Sequence, residues 1–307
     1  MIRLGTRASA LALAQARAVA ARLEAAGVAV ELRPMRTEGD RRADARLAVV
    51  GGKGLFVRDI EEALLRGELD AAVHSLKDLP AEPPAGLCLA AYPAREDPRD
   101  VLVARGPGGL AALATGAVVG TSSPRRRALL LAARPDLVVQ PARGNVDTRL
   151  RKLAAGDRDA IVLAAAGLLR LGLAPAHGEV LDPDVFVPAV GQGIIAVQAR
   201  ADDARTLRAL AGVDDAPTRA CALAERAYLA RLGASCATPM AAHARLDGGA
   251  LRMSAIVASE DGRQLLRAQA TAPAAEAEAL GRTLADTLLA RGAAVITPLS
   301  PVGTSTR

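Results

Sequence analysis

The 307-residue chain carries 39 Lys and Arg against 33 Asp and Glu, for a formal net charge of +6, and it is 51% hydrophobic but only 1% aromatic. That length accommodates two or three domains with sizeable cores, which must be built from Leu, Val, Ile and Ala. So few aromatic rings leave almost nothing on which single-stranded nucleic acid could stack. Of the basic residues only Lys53, Lys77 and Lys152 are lysine, and guanidinium forks suit small polycarboxylates or phosphates, bound bidentately.

Residues 2–4 read as a short strand, Gly5-Thr6-Arg7 as a turn, and Ser9 as the N-cap of a helix that runs to about residue 26 and is stopped by Gly27. Residues 28–34 return as a strand. The opening unit is therefore βαβ, which implies a parallel sheet. Arg17, Arg22 and Glu24 interrupt the helix, making it amphipathic rather than a signal peptide or membrane span. Arg7, Ser9 and Gln15 lie near its N-terminus, a place that favours anions.

Thr37-Glu38-Gly39-Asp40 opens a charged loop that ends in Gly51-Gly52-Lys53-Gly54-Leu55-Phe56. Residues 41–50 read as a lid hinged at these glycines, with an ordinary surface loop as the alternative. A helix over 56–66, stopped by Gly67, precedes an apolar run at 69–73. That run reads as a buried strand delivering His74-Ser75-Leu76-Lys77-Asp78-Leu79-Pro80 into a turn. Ligands bind at such strand ends in open α/β sheets, although an isolated Lys-Asp dipeptide is more often a solvated pair. Residues 87–92 form another strand, and residues 93–99 mix prolines with charges at a crossing into a second domain.

In the second domain a strand at 118–121 leads into Ser122-Ser123-Pro124-Arg125-Arg126-Arg127, with Ser123 as N-cap and Pro124 at the first helical position. Three cations at a helix N-terminus oppose the macrodipole by roughly 0.3 to 1 kcal/mol each. An anion is expected beside them. A strand at 137–139 precedes Arg143-Gly144-Asn145-Val146-Asp147-Thr148-Arg149 and a helix ending at Gly156, and a strand at 159–165 precedes Gly167 to Gly172. Arginine thus recurs after four strands, as Arg7, Arg125 with Arg126, Arg143 with Arg149, and Arg170. Gly191-Gln192-Gly193 turns into an apolar segment at 194–197 that returns to the first domain.

A helix over 219–232 leads to Gly233-Ala234-Ser235-Cys236-Ala237-Thr238-Pro239. Strands near 241–246, 251–259 and 264–271, joined by glycine hairpins, and a helix over 274–290 complete an α+β domain. Cys88, Cys221 and Cys236 are odd in number and lack a C-x-x-C pair, so neither a disulfide framework nor a zinc site is suggested and a reduced, cytoplasmic setting follows. Cys236, among small residues, is the candidate accessible thiol.

Taken together, these stretches resemble the porphobilinogen deaminase (hydroxymethylbilane synthase) family. The pieces that carry the resemblance are Leu4 to Ser9 with Leu11, Ala12 and Gln15; Thr37 with Gly39-Asp40; Lys53 to Phe56; His74 to Pro80; Thr121 to Arg126; Arg143 to Arg149; Ala166 to Gly172; Pro188 to Gly193; and Glu225-Arg226 through Cys236 and Pro239. The resemblance implies two type II periplasmic-binding-protein-like α/β domains, 1–93 plus 194–211 and 99–187, with the active cleft between them, and a smaller C-terminal α+β domain, 216–307. It implies a transferase that joins four porphobilinogen molecules head to tail onto a dipyrromethane cofactor held by thioether to Cys236, releasing ammonia and then hydroxymethylbilane for tetrapyrroles such as haem.

In that reading Asp78 is the catalytic carboxylate, stabilising the cationic azafulvene left when ammonia departs, with Lys77 beside it. The cofactor is held by Cys236, Arg125, Arg126, Lys77, Ser123, Thr121, Asn145 and Asp78. The substrate is held by Arg7, Ser9, Gln15, Phe56, Arg143, Arg149, Arg170 and Gln192, and no metal is involved. The expected molecule is a cytoplasmic monomer with neither nucleic-acid nor membrane partners. Pro124 stands where the family usually has leucine, Ala234-Ser235 where glycines are frequent, and Gln198 where glutamate is common; the sequence offers no account of the last. Two rivals share some features: a non-enzymatic periplasmic-type binding protein, and a nucleic-acid binder that rests on net charge alone.

Overall fold

The computed structural model describes residues 1–35, 57–233 and 238–299. The predicted lid, Phe56 and Cys236 lie outside the described residues. The chain divides into two compact units, Met1–Glu96 with Ile194–Arg219, and Asp97–Gly193 with Ala220–Arg307.

The first unit opens with the expected βαβ: β1 (Ile2–Arg7), α1 (Ala10–Ala25) and β2 (Val30–Met35). It continues through α2 (Arg58–Leu65), β3 (Ala71–Ser75), a 3₁₀ turn at Leu76–Asp78, and β4 (Leu87–Ala91). In the second unit come β5 (Asp100–Ala104), β6 (Val118–Gly120), α3 (Pro124–Ala133), β7 (Val138–Gln140), α4 (Val146–Ala154), β8 (Ala160–Ala164), α5 (Ala165–Arg170) and β9 (Gly178–Val180). The chain re-enters the first unit as β10 (Ile195–Arg200) and α6 (Ala204–Ala211). After α7 (Ala216–Leu232) come β11 (Met240–Asp247), β12 (Ala250–Ala258), β13 (Leu265–Pro273), α8 (Ala277–Ala290) and a last short helix, α9 (Ala293–Ile296).

The two larger sheets have one scheme, β2-β1-β3-β10-β4 and β7-β6-β8-β5-β9. In each, four of the five strands run in one direction and one, β10 or β5, lies antiparallel between two of them. Both are mixed α/β sheets, and the third, antiparallel sheet β11-β12-β13 belongs to a smaller C-terminal α+β part. The return of β10 to the first sheet is as expected. Strands β5 and β9 were not legible in the sequence: β5 directly follows the proline-rich crossing, and β9 is a three-residue edge strand containing Gly and Glu.

Alternation along β3 explains how both faces of the first sheet are covered. Ala71 and Val73 join the core under α1 with Leu4, Val19 and Leu23, whereas Ala72 joins Ile60, Ala63 and Leu64 of α2. Each fully buried leucine in such a core contributes about 1.5 to 3 kcal/mol. In the second unit Leu129 and Leu130 of α3 share a core with Val119, Val162 and, from the C-terminal sheet, Ala241 and Ile256. Tyr228 of α7 is fully buried and donates to Ile256 O at 2.9 Å. A Cβ at Gly281 of α8 would collide with Ala224 O and Tyr228 N, so glycine lets the two helices approach. No helix among the described residues is long and apolar enough to cross a membrane.

Candidate functional site

In the first unit the predicted residues gather at the carboxyl ends of β1 and β3. Ser9 caps α1 as expected, its Oγ accepting from Ala12 N at 3.3 Å. Gln15 is 3% exposed and its Nε2 donates to Ser75 Oγ at 2.8 Å, so it ties α1 to the end of β3. Arg7 is the last residue of β1 and is half-buried. Beyond Ser75 the chain tightens into the 3₁₀ turn, held by Leu76 N donating to Ile194 O at 3.0 Å and Leu79 N to Leu76 O at 3.1 Å. Burial of Leu76 and Leu79 anchors this turn. Lys77 is half-buried, and Asp78 is exposed with no cation paired to it among the described residues.

On the opposite face of β3 lies a polar cluster that also accounts for Gln198. Its Nε2 donates to Glu61 Oε1 at 2.9 Å, and Gln198 is 1% exposed. Glutamate in its place would set a second carboxylate against Glu61, whose own pKa burial already raises while Gln198 lowers it. Burial pushes the neighbouring His74 down to about 4, opposed by Gln198 and reinforced by the charge of Arg7. That opposition is weak, because His74 Nε2 and Gln198 Oε1, both buried, complete no hydrogen bond.

A pH dependence of stability follows. Between pH 6.5 and about 4 an unfolded histidine takes up a proton that folded His74 refuses, so stability falls as pH falls through this window and rises with pH across it. The full effect is roughly 3 kcal/mol. Urea unfolding of His74→Asn across this window is expected to show a flatter pH slope than the parent; parallel slopes would contradict a neutral buried imidazole.

The second unit answers the expectation of an anion beside the arginine-rich start of α3, and the anion found there is the protein's own. Asp100, the first residue of β5, is fully buried. Arg125 Nη1 donates to its Oδ2 at 2.7 Å, and Arg126 donates to Oδ1 through Nη2 at 2.7 Å and Nε at 3.1 Å. Gln192 Nε2 donates to the same Oδ1 at 3.0 Å and to Pro98 O at 2.7 Å. Burial alone would raise the Asp100 pKa, but Arg125 and Arg126 outweigh it and hold the carboxyl far below the usual range. Three predicted site residues thus converge on a carboxylate that sequence reasoning missed; its one signal was a charge opening the apolar run Val101 to Ala104.

Arginine still outnumbers carboxylate here. Burial lowers the Arg149 pKa, the charge of Arg126 lowers it further, and Arg149 Nε donates to Gly144 O at 2.8 Å. Among the described residues no carboxylate pairs with Arg149. Arg125 Nε is buried without a hydrogen-bond partner. Gly144, at φ +113°, fixes the turn before α4, and a Cβ there would lie 2.9 Å from Thr148 Cγ2. Arg143 and Asn145, on either side of it, are exposed, and Asn145 is the N-cap residue of α4 without a side-chain cap bond. Ser123 caps α3, accepting from Arg126 N at 3.4 Å, and Thr121 Oγ1 accepts from Ser123 N at 3.1 Å. Arg170 ends α5 rather than a strand, and its Nη2 donates to Gly193 O at 2.7 Å. Such a cluster of guanidiniums around one carboxylate can accept further carboxylates as charge-assisted, bidentate partners.

Two family signatures cover most of the chain: "porphobilinogen deaminase, dipyromethane cofactor binding domain" at residues 2–208 and "porphobilinogen deaminase, C-terminal domain" at residues 219–290. Among curated proteins, the porphobilinogen deaminase of Syntrophotalea carbinolica is 52% identical over 294 residues, covering 95% of this chain and 93% of that protein. The porphobilinogen deaminase of Sorangium cellulosum is 54% identical over 268 residues, covering 87% and 89%. Among solved structures, the methionine binding protein MetQ is 16% identical over 68% of this chain and 87% of its own, with a TM-score of 0.44.

Proposed function

The chain belongs to the porphobilinogen deaminase family, and from that premise we propose how its own residues divide the work. The enzyme deaminates and polymerises four porphobilinogen molecules on a dipyrromethane cofactor, releasing hydroxymethylbilane and ammonia for tetrapyrrole biosynthesis. The observation that carries the assignment of residues is the shortage of anions around Asp100. Arg125 and Arg126 repel each other and share one carboxylate, while Arg149, repelled by Arg126, pairs with no carboxylate among the described residues. The donor set fits a polycarboxylate.

When bound, the dipyrromethane supplies the pyrrole carbon to which the first substrate is joined, together with acidic side chains for cations to grip. Arg125, Arg126 and Lys77, with Ser123, Thr121 and Asn145, hold that group, and Cys236 carries it covalently. Arg143 and Arg149, with Arg7 and Arg170, bind the acetate and propionate of incoming porphobilinogen, and Ser9, Phe56 and Gln192 assist. Gln15 and Gln192 act chiefly by position, because Gln15 holds the end of β3 and Gln192 holds Asp100.

Asp78 serves the chemistry. Its exposed carboxylate accepts pyrrole N–H groups, stabilises the positive charge that develops on the substrate as ammonia leaves, and takes up or returns protons. A carboxylate is a poor choice for gripping an anionic substrate and a good one for a transient cation. The supporting domain reading is 1–93 with 194–211, 99–187 and 216–307, one sheet to each. We read the molecule as a cytoplasmic monomer without nucleic-acid or membrane partners, in keeping with three widely spaced cysteines that lack a C-x-x-C pair and with the scarcity of aromatic residues.

The test is the intact mass of the purified protein. An adduct of dipyrromethane size is expected on the parent chain and is expected to vanish, with activity, in Cys236→Ser. A parent mass equal to the bare chain would remove the basis for the attachment.

A further inference from the structure

Glu225 has no place in the chemistry above, yet it is fully buried near the middle of α7. Its Oε2 accepts from Gly191 N at 2.6 Å and its Oε1 from Ala244 N of β11 at 2.8 Å. Gly191 lies in a turn that needs left-handed backbone, with φ of +70° at Gly191 and +85° at Gly193. The residue between them is Gln192, whose side chain reaches Asp100 and Pro98 O. Arg170 fastens the far end of the same turn through Gly193 O. Bonds therefore run without a gap from α7, through the turn, to the carboxylate on which Arg125 and Arg126 are aligned.

We propose that Glu225 is a positioning residue for the carboxylate-binding arginines: by fixing the Gly191 peptide it sets Gln192 against Asp100, and Asp100 in turn orients Arg125 and Arg126. The proposal rests on the reading of those arginines as carboxylate binders, beside Arg149, which meets incoming porphobilinogen and on which the charge of Arg126 bears, so that a displaced Arg126 is felt in substrate binding. Two features of the geometry point this way. Both carboxylate oxygens of Glu225 are engaged by backbone N–H groups from different elements, so the side chain spans the C-terminal part and the turn. Gln192 is 1% exposed and makes two bonds with a single Nε2, so a small rotation of its backbone breaks one of them. Glutamine at 225 would turn an N–H donor toward one of the two backbone N–H groups and leave that group unpaired.

The expected consequence is on binding rather than on the chemical step, because Asp78 is untouched. Loss of binding shared by ground and transition states raises KM with little change in kcat. Steady-state kinetics on cofactor-loaded Glu225→Gln, its loading checked by intact mass, are expected to show the porphobilinogen KM raised about tenfold, with kcat within about twofold of the parent. Gln192→Leu is expected to do the same, and the double variant to be no worse than the worse single, since both cut one chain. Glu225→Asp, which keeps two acceptor oxygens, is expected to recover part of the KM.

Multiplying effects in the double variant, or a fall in kcat at constant KM, would overturn the proposal. Should Glu225→Gln fail to fold, Glu225→Asp with and without Gln192→Leu carries the same test. Arg149→Leu separates the two levels of inference. Unchanged KM in Arg149→Leu sinks the carboxylate-binding reading itself, whereas a raised KM there beside an unaltered Glu225→Gln sinks only the role of Glu225.

Discussion

Asp78→Ala is expected to fold like the parent and to lose turnover by about 10²- to 10⁴-fold, the range that a positioned acid–base group contributes. The separation of the two effects follows from where the residue sits. The 3₁₀ turn is anchored by buried Leu76 and Leu79 and by the bond from Leu76 N to Ile194 O, none of which involves the Asp78 side chain. The carboxylate is exposed and unpaired with cations among the described residues, so truncation changes stability by no more than about 0.5 kcal/mol. Thermal unfolding and single-turnover deamination of the same preparation check both halves. Near-parental turnover would show that the cation formed on loss of ammonia is stabilised elsewhere.

Asp100→Asn is expected to do the reverse and strike the fold first. The parent carboxylate neutralises two buried guanidiniums at hydrogen-bond distance. Asparagine retains one acceptor oxygen but no charge, and breaking a buried ion pair by removing one partner costs about 3 to 5 kcal/mol. That is a large part of the 5 to 15 kcal/mol by which a typical protein is stable. The sign with pH also follows. The Asp100 pKa is held low in the folded chain, so its contribution is fully present above the unfolded carboxyl value near pH 4 and is lost only as pH falls toward the folded value. Denaturant unfolding at neutral pH is the measurement. A loss below about 1 kcal/mol would show that solvent or other groups already compensate Arg125 and Arg126, as in exposed pairs.

Local patterning determined much of this protein. The βαβ opening, the Ser9 and Ser123 caps, the hairpins of the C-terminal sheet and the strand that ends at the Asp78 turn are fixed by capping chemistry, periodicity and glycine stops within a few residues of one another. The recurrence of arginine after strands was visible for the same reason. A strand end and the helix that follows it are neighbours in the chain.

What only the tertiary structure decided is which partner each polar group finds. Asp100 meets Arg125 because β5 is laid antiparallel beside β8 in the second sheet, a pairing between residues dozens of positions apart. Glu225 meets Gly191 across 34 positions of chain, and Gln198 meets Glu61 across 137. Propensity and periodicity act over one or two turns. Charge neutralisation in a buried site acts at hydrogen-bond distance, wherever the chain brings the groups together. The arginines were legible as a cluster that wants an anion, but that the protein supplies part of that anion itself, and how much it leaves for a carboxylate-bearing ligand, was decided by the fold.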